Sequence, residues 1–473
     1  MPSPTPSIRP PRAAPRRTDA RRGPQLLALA AGVLAAQPSL VAAQPATGTP
    51  AVGAAAGAPS PGSGARPGAP AAARLRLADY LDWEDVQDPQ LAPDGRRIVF
   101  TRRWIDKLND RWESSLWIME ADGSRPRFFV EGSNARWSPD GTRLAYVARG
   151  EPAGTQVWVK YLDGSGATQI TRLDQTPADL AWAPDGRAIA FRMLVPQRDD
   201  WRLEMPAAPK GAKWTEAPRV VTRLNYRRDR QGFVDDGYRQ LFVVPADGGT
   251  PRQLTTGAAD AGEPRWTPDG RRLVFSGNRH PEADWQWRES DLYAVDVAGC
   301  APVPGPDGCP VRQLTTRSGP DANPIVSPDG HWIAYTGYDA TDDTWVDAKL
   351  HVVPADGGTP RVISGTLDRS PQGMQWASDG SGVYFNVESE GTRHVYFAPL
   401  AGTGPRAVTR GAQVLSMTDL ARVGGRDVAV GVMSTPTHPN DVVRVDLRTG
   451  EATWLTDVNA DVLVFKGQAD TGE

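Results

Sequence analysis

The side chains that could perform chemistry in this 473-residue sequence are few and lie in short clusters. Tyr226, Arg227 and Arg228 stand together in a long stretch between two strand-like runs. An arginine fork matches a carboxylate with two parallel hydrogen bonds, so this cluster predicts a clamp for a carboxylate. The other interpretation is an internal salt-bridge network that holds a long loop. Trp285 and Trp287 predict apolar pockets for peptide side chains, with packing of the loops as the alternative.

Other catalytic and metal-binding patterns are missing from the sequence. It has no Gly-x-Ser-x-Gly for a serine nucleophile and no Gly-Lys for a phosphate-binding loop. None of the five histidines has a recognisable catalytic or metal-binding context. A group of aspartates predicts either a cation site or, as the favoured interpretation, a solvated acidic loop. We therefore expect no catalytic residue, no metal and no cofactor in this chain. The aspartates are Asp339, Asp342, Asp343 and Asp347.

A turn motif divides the chain into repeats. It is a small or polar residue followed by Pro-Asp-Gly or a close variant, in which Pro presets φ, Asp bonds to its own backbone and Gly takes a positive φ. Its aspartates are 46, 45, 84, 60 and 50 residues apart, a period typical of stacked or radial repeats. An apolar strand-like run follows each turn, a second run comes later, and many units end near Leu-Thr. The aspartates are Asp94, Asp140, Asp185, Asp269, Asp329 and Asp379.

The repeats predict an all-β fold, a seven-bladed β-propeller of four-stranded antiparallel blades. The seventh unit begins near Ala412. We expect the ring to close by packing alone, because no late strand remains to complete the first unit. Long insertions between the second and third strands share one face, where binding sites normally lie. They are residues 102–115, 192–240, 276–291 and 337–349.

The two ends of the chain predict export to the periplasm or the cell exterior. Residues 1–43 predict a signal peptide, with an arginine-rich start, a short apolar stretch and small residues before Gln44. Residues 44–73 are nearly all Ala, Pro, Gly, Ser and Thr and predict a disordered linker. The propeller is then expected at 74–458 and a truncated junction at 459–473.

The charge, the hydropathy and the cysteines of the chain each indicate a property of the protein after export. Without residues 1–43 the chain keeps 47 basic and 55 acidic side chains, a net charge of −8. A generic nucleic-acid binder carries the opposite sign, so no nucleic acid is expected. No later segment is apolar enough to predict a membrane span. In an exported protein Cys300 and Cys309 predict a disulfide bond, with unbonded surface thiols as the alternative.

From about Leu77 to Asp461 the chain resembles the N-terminal propeller of the prolyl oligopeptidase family of serine peptidases, in its acylaminoacyl-peptidase and dipeptidyl-aminopeptidase-like branch. The turn repeats are less specific, because TolB-like periplasmic propellers share them. Three other segments carry the resemblance. They are a lead-in at 88–95 after a helix-like segment at 77–85, an insertion at 220–227 and an ending at 455–460.

The resemblance implies a propeller that lies over the active site of an α/β-hydrolase domain and admits only short peptides. No catalytic residue can be carried over, because no position here matches one. In the family that domain begins soon after the last blade, and this sequence stops at Glu473. The first hypothesis is the non-catalytic propeller of an exported serine peptidase, from a truncated or split gene. It binds or gates peptides for a hydrolase domain missing from this chain, and alone it is inactive. The alternative is a stand-alone TolB-like periplasmic scaffold that binds a protein partner.

Overall fold

The computed structural model describes residues 76–197, 206–215, 220–300, 308–402 and 404–464. Within these ranges the protein is nearly all β, with antiparallel sheets in a propeller-like arrangement, and this confirms the predicted class. The predicted signal peptide and linker lie outside the described residues, as does most of the predicted junction. No helix in the described ranges is long and apolar enough to cross a bilayer.

The elements follow the chain in order. A 3-10 helix, Leu77–Leu81, comes first. Sheet 1 contains β1 (Asp85–Leu91), β2 (Arg97–Asp106), β3 (Arg111–Glu120) and β4 (Arg127–Glu131). Sheet 2 contains β5 (Ser133–Trp137), β6 (Arg143–Gly150), β7 (Gly154–Tyr161) and β8 (Ala167–Gln169). Sheet 3 contains β9 (Ala178–Trp182), β10 (Ala188–Pro196), β13 (Gly237–Pro245) and β14 (Arg252–Gln253). Between β10 and β13 the chain forms a separate two-stranded ribbon of β11 (Arg227–Arg228) and β12 (Gly232–Phe233).

The second part of the chain repeats this pattern. Sheet 4 contains β15 (Arg265–Trp266), β16 (Arg272–Gly277), β17 (Asp291–Asp296) and β18 (Val311–Gln313). Sheet 5 contains β19 (Asp321–Val326), β20 (Trp332–Gly337), β21 (Lys349–Pro354) and β22 (Arg361–Val362). Sheet 6 has eight strands, β23 (Gln372–Trp376), β24 (Gly382–Ser389), β25 (Thr392–Pro399), β26 (Arg406–Ala407), β27 (Val414–Val423), β28 (Arg426–Thr435), β29 (His438–Asp446) and β30 (Ala452–Trp454). Helix α1, Ala460–Val464, follows.

The first strand of most sheets contains a β-bulge centred on a residue in the left-handed conformation. Aspartate, asparagine and glycine tolerate this conformation best, which explains the residue types found there. The predicted lead-in at 88–95 spans the second half of β1 and the turn that follows it. The predicted helix-like segment at 77–85 is helical only from Leu77 to Leu81, and a strand begins at Asp85. The bulged residues are Asp88, Asn134, Asp179 and Asn323, with φ between 50° and 56°, and Gly373 with φ 53°.

A tryptophan side chain joins neighbouring sheets at these bulges. The indole N–H, from the end of the first strand of one sheet, donates to a backbone carbonyl in the first strand of the sheet before it. Each accepting residue comes two positions after a bulged residue, so the bulge aims the carbonyl towards the next sheet. The bonds run from Trp137 to Gln90 (3.1 Å), Trp182 to Arg136 (2.9 Å), Trp266 to Ala181 (3.0 Å) and Trp376 to Ile325 (3.1 Å).

A hydroxyl group at the end of the fourth strand locks each of the later repeats. The hydroxyl belongs to a threonine in five repeats and to Ser364 in one, and we name it the threonine lock. It accepts a hydrogen bond from a backbone N–H of the third strand, at 2.9–3.0 Å. It explains the Leu-Thr ending that recurs in the sequence, because the leucine fills the core while the hydroxyl satisfies a buried donor. The pairs are Val157–Thr171, Leu241–Thr255, Leu292–Thr315, Leu350–Ser364, Val395–Thr409 and Val442–Thr456.

The ring closes where sheet 1 meets the second half of sheet 6. Their apolar side chains share one buried cluster, which includes Ile98 and Val430. As predicted, no late strand completes sheet 1 among the described residues, because β1 to β4 alone form it. Polar side chains join the two ends in addition to the apolar packing. The Asn459 amide bonds both backbone groups of Glu84 at 2.9 Å. The Asp419 carboxylate accepts the Leu91 N–H at 2.9 Å.

The prediction that residues 102–115 form a loop insertion is wrong. The strands β2 and β3 continue through it as a long hairpin, paired from Arg97 with Glu120 to Asp106 with Arg111. The other three insertions do interrupt the strand pairing, although β10 extends to Pro196 before its insertion begins. Three of the predicted insertions therefore build the face that carries the connections between second and third strands, which we name the loop face.

The first prediction concerns the bond between sheets 2 and 3. Trp182→Phe keeps an aromatic ring in a site that is 8% exposed but leaves the Arg136 carbonyl without its donor. We expect a loss of about 1 kcal/mol in the free energy of unfolding, measured by urea denaturation. Trp345→Phe is the matched control, because Trp345 is 94% exposed. Equal denaturation midpoints for the two variants would contradict the role given to the indole bond.

The second prediction concerns Asp419. Burial raises the pKa of Asp419 from 3.8 to about 7, although the Leu91 and Leu420 N–H groups work in the opposite direction. The folded protein therefore keeps a proton that the unfolded chain releases, so the contribution of Asp419 to stability is full below pH 4 and is lost as the pH rises to about 7. Asp419→Asn keeps an acceptor for Leu91 without the charge. At pH 8 we expect this variant to have a free energy of unfolding higher than that of the wild type by on the order of 1–2 kcal/mol. Its urea midpoint should therefore be higher.

Urea midpoints measured between pH 4 and pH 8 test this expectation. The two proteins should converge towards pH 4, where Asp419 is protonated in the folded wild type and about half protonated in the unfolded chain. Asp368→Asn, at an aspartate whose side chain is 89% exposed, serves as the control and should follow the wild type throughout. Parallel curves for Asp419→Asn and the wild type would show that this carboxyl group has no part in the pH dependence.

Candidate functional site

The insertions of sheets 3 and 4 enclose a cleft on the loop face. Residues 197–236 connect β10 to β13, and residues 278–290 connect β16 to β17. Together with the connection between sheets 3 and 4 they surround a cavity of about 210 Å³, the loop-face cleft. Charged groups of both signs line it, next to one indole ring. The lining includes Arg223, Arg228, Asp235, Asp260, Asp284 and Trp287.

Backbone carbonyl groups and one aspartate hold the walls of the cleft. The Arg223 guanidinium donates to the carbonyls of Gly237 at 3.4 Å and Asp235 at 3.2 Å, and it lies 4.8 Å from the centre of the Tyr238 ring. These contacts fold the end of the sheet 3 insertion back onto β13. The two insertions are joined by the Asp284 carboxylate, which accepts the Leu224 N–H at 3.2 Å.

Arg288 connects the same region to the insertion of sheet 5. Its guanidinium donates to the Asp343 carbonyl at 2.8 Å and lies 4.8 Å from the centre of the Trp287 ring. A second groove, of about 530 Å³, opens between Trp285 and residues 338–342. The cleft and this groove share Trp287, so the indole lies between two recesses of the loop face.

The structure brings together some of the residues that the sequence singled out. Arg228 and Trp287 line the loop-face cleft, and Trp285 lines the groove beside it. Tyr226 instead packs on Phe233, with ring centres 6.1 Å apart, and Arg227 does not line the cleft. The two tryptophans are 75% and 66% exposed, which argues against the alternative that they pack the insertions against the sheets.

The alternative interpretation of the arginine cluster also finds no support. The ribbon of β11 and β12 carries Arg227 and Arg228 with both residues exposed. Neither guanidinium pairs with a carboxylate in the part of the chain that the structure describes. Arg228 therefore remains available to a ligand of the cleft.

The acidic group in the sheet 5 insertion is dispersed rather than gathered. Asp339 pairs with Arg317 at 3.0 Å, and Asp347 accepts a hydrogen bond from Ser370 at 2.9 Å. Its aspartates do not form a metal-ligand group among the described residues. The favoured interpretation of a solvated acidic loop agrees with this geometry.

The cysteines lie away from the loop face. Cys300 and Cys309 are bonded to each other in the connection between β17 and β18, and both are buried against the core between sheets 3 and 4. A connection between third and fourth strands belongs to the face opposite the cleft. The bond therefore has a structural place in the fold and no contact with the cleft.

Several residues of the site carry no signal in the sequence. Asp260 and Asp284 come from different connections and meet only because the ring brings sheets 3 and 4 together. His438 lies beside Asp441 and Asp457, a proximity that its position in the sequence did not indicate. These three residues are far from the cleft in sequence.

The comparisons with known proteins point to peptidases. No family model matches the chain. It is 31% identical over 214 residues to the uncharacterized peptidase YuxL of Bacillus subtilis, an alignment that covers 44% of this chain and 32% of that protein. It is 22% identical over 393 residues to dipeptidyl-peptidase 5 of Porphyromonas endodontalis, which covers 80% of this chain and 54% of that protein. The chain thus spans about half the length of the dipeptidyl-peptidase relative.

Solved structures agree on the fold. The acylaminoacyl peptidase of Pyrococcus horikoshii superposes with a TM-score of 0.60 at 18% identity, covering 81% of this chain and 54% of that one. The β-propeller domain of the Trilobed protease from Pyrococcus furiosus, described as having an open velcro topology, superposes with a TM-score of 0.54 at 16% identity. That match covers 80% of this chain and 97% of the domain. The relatives and structural neighbours are therefore peptidases and propeller domains of peptidases.

Proposed function

We propose that this chain forms the peptide-binding propeller of an exported serine peptidase of the prolyl oligopeptidase family. In this proposal sheet 6 counts as two blades, β23–β26 and β27–β30, which gives the ring seven. One observation supports the division. Among the described residues the two halves are joined by a single parallel pair, Arg393 with Val414, whereas each half has its own antiparallel pairing.

The observation that carries the proposed function is the chemistry of the loop-face cleft. A short peptide presents an ammonium group, a carboxylate and amides at a spacing of a few ångströms. The cleft offers Arg228 for the carboxylate, Asp235 and Asp284 for the ammonium group, and the Trp287 face for a side chain. Similarity to proteins named as a dipeptidyl-peptidase and an acylaminoacyl peptidase supports a peptide as the ligand.

Hydrolysis in such an enzyme would rest on an α/β-hydrolase domain, and these 473 residues contain no Gly-x-Ser-x-Gly. The propeller would bind peptides on its loop face or restrict their entry to that domain. This role needs a rigid ring with large loops on one face, and the position of residues 220–236 and 278–290 supports it.

The third prediction tests binding in the cleft. A tripeptide with free termini, such as Ala-Ala-Phe, is titrated into the chain by isothermal calorimetry. Arg228→Ala removes the proposed partner of its carboxylate, and we expect about three- to tenfold weaker binding. Arg227→Ala is the matched control, because Arg227 is the neighbouring exposed arginine and lies outside the cleft lining. Absence of binding to the wild type, or equal effects of the two substitutions, would contradict the assignment.

The fourth prediction concerns catalysis. We expect no turnover of aminoacyl or peptidyl p-nitroanilides by the purified chain, because it lacks the serine elbow of the hydrolases. Release of p-nitroaniline is followed by its absorbance, beside a serine peptidase as a positive control. Turnover that a serine-directed inhibitor abolishes would overturn the proposed division of labour.

A further inference from the structure

Three possible metal ligands meet at the end of the last sheet. His438 begins β29, Asp441 lies within it, and Asp457 follows β30. One ligand atom from each lies within 4.8 Å of the other two. An imidazole nitrogen and two carboxylate oxygens form a donor set that suits divalent transition metals such as zinc.

Asp441 has an oxygen atom without a partner. Its side chain has no exposed surface. One carboxylate oxygen accepts hydrogen bonds from the Thr456 hydroxyl and from the Val458 N–H at 3.2 Å. The other, Oδ2, has no hydrogen-bond partner within the described part of the chain, and it lies 3.9 Å from His438 Nδ1. A buried carboxylate oxygen is costly to leave unpaired, so this atom calls for a ligand.

An equivalent aspartate in sheet 4 shows how the position is normally satisfied. Asp291, like Asp441, immediately precedes the residue whose N–H binds the threonine lock. Its Oδ2 lies 3.0 Å from His280 Nε2 and accepts the Gln313 amide at 2.8 Å. The same backbone position is therefore fully paired in sheet 4 and half paired in sheet 6.

The difference comes from one residue of the fourth strand. Trp454 occupies in sheet 6 the place of Gln313 in sheet 4, two residues before the locking threonine. It packs on His438 with ring centres 4.2 Å apart. The exchange removes the amide donor from Asp441 and fixes the imidazole ring beside it.

The hydrogen bonding of His438 determines which nitrogen is free. Its Nδ1 lies 2.8 Å from the Pro439 carbonyl oxygen, which can only accept, so Nδ1 carries the hydrogen. In the neutral ring the lone pair is then on Nε2, which lies 3.8 Å from Asp457 Oδ1. A metal-bound histidine commonly donates its other N–H to a carbonyl group in this way. In this tautomer the Nε2 lone pair faces the Asp457 carboxylate, an arrangement that a bound cation would satisfy.

We propose that His438, Asp441 and Asp457 bind one divalent transition-metal ion, with zinc as the fitting case. Zinc lies about 2.0–2.2 Å from nitrogen and oxygen ligands, so its ligand atoms are roughly 3.5 Å apart in a tetrahedral site. The separation of His438 and Asp457 needs to shrink by only a few tenths of an ångström. Water completes the fourth position.

The ion would also strengthen the closure of the ring. Asp457 lies two residues before Asn459, whose amide holds both backbone groups of Glu84. Fixing Asp457 to β29 through a shared ion fixes this connection as well. A ligand that binds only the folded protein raises its stability by mass action, so zinc should raise the unfolding temperature in a saturable manner.

The whole, untagged chain is first treated with a chelator, which is then removed. Calorimetric titration with zinc chloride tests the proposal. We expect one zinc ion per chain with a micromolar or lower Kd. Asp457→Asn alters a side chain that is 58% exposed, so it should keep the fold and weaken binding at least tenfold. His438→Gln should do the same. His280→Gln is the matched control and should bind zinc like the wild type, since Asp291 is already paired.

Three results would overturn the proposal. The first is a wild-type chain that takes up no zinc and shows no shift in its unfolding temperature, which would leave His438 as a simple ion-pair partner of its aspartates. The second is equal zinc affinity in Asp457→Asn and the wild type. The third is tighter binding of calcium than of zinc, because calcium selects oxygen ligands and would exclude His438. Each outcome is independent of whether the cleft binds peptides.

Discussion

The hydrogen bond from a tryptophan indole to the preceding sheet sets the geometry on which the rest of the molecule depends. A bulge in the first strand turns one carbonyl out of its own sheet, and the next sheet supplies the donor. Apolar clusters between neighbouring sheets supply most of the burial but are not directional. The indole bond is directional, so it fixes how sheets 2, 3, 4 and 6 are placed against the sheet before them.

This placement brings the insertions of different sheets together on the loop face. Within that face, guanidinium groups bonded to backbone carbonyls replace strand pairing as the source of shape. Arg223 holds the sheet 3 insertion, and Arg288 connects sheet 4 with the insertion of sheet 5. Such bonds leave the aspartate side chains of the cleft and Arg228 facing the cavity. The cleft thus combines a defined shape with charges of both signs.

The sequence predicted what local rules determine. The Pro-Asp-Gly turns and apolar runs located the strands, because each turn depends on four adjacent residues. The sequence also showed the Leu-Thr endings. It did not show their role, because the hydroxyl accepts its hydrogen bond from a different strand. The indole bonds were missed because donor and acceptor are 46 to 85 residues apart.

Of the site residues, the sequence could name Arg228 and Trp287 from their types. It could not separate Arg228 from Arg227, because the strand pairing that turns adjacent side chains to opposite sides lies in a short ribbon that no pattern announces. The proposed metal site at His438 was equally hidden. Its signal is the replacement of a glutamine by Trp454 at one position of a repeat, which becomes visible only when the sheets are compared with each other.

Closure of the ring by side chains has a consequence for how the chain folds. Each four-stranded unit is contiguous in sequence, so its pairing needs no contact with the distant terminus, and contact order stays low within every unit. Contacts such as Leu91 with Asp419 and Glu84 with Asn459, which join residues 328 and 375 positions apart, come last. A chain of this design can acquire structure from its first sheet onward while later sheets are still being made.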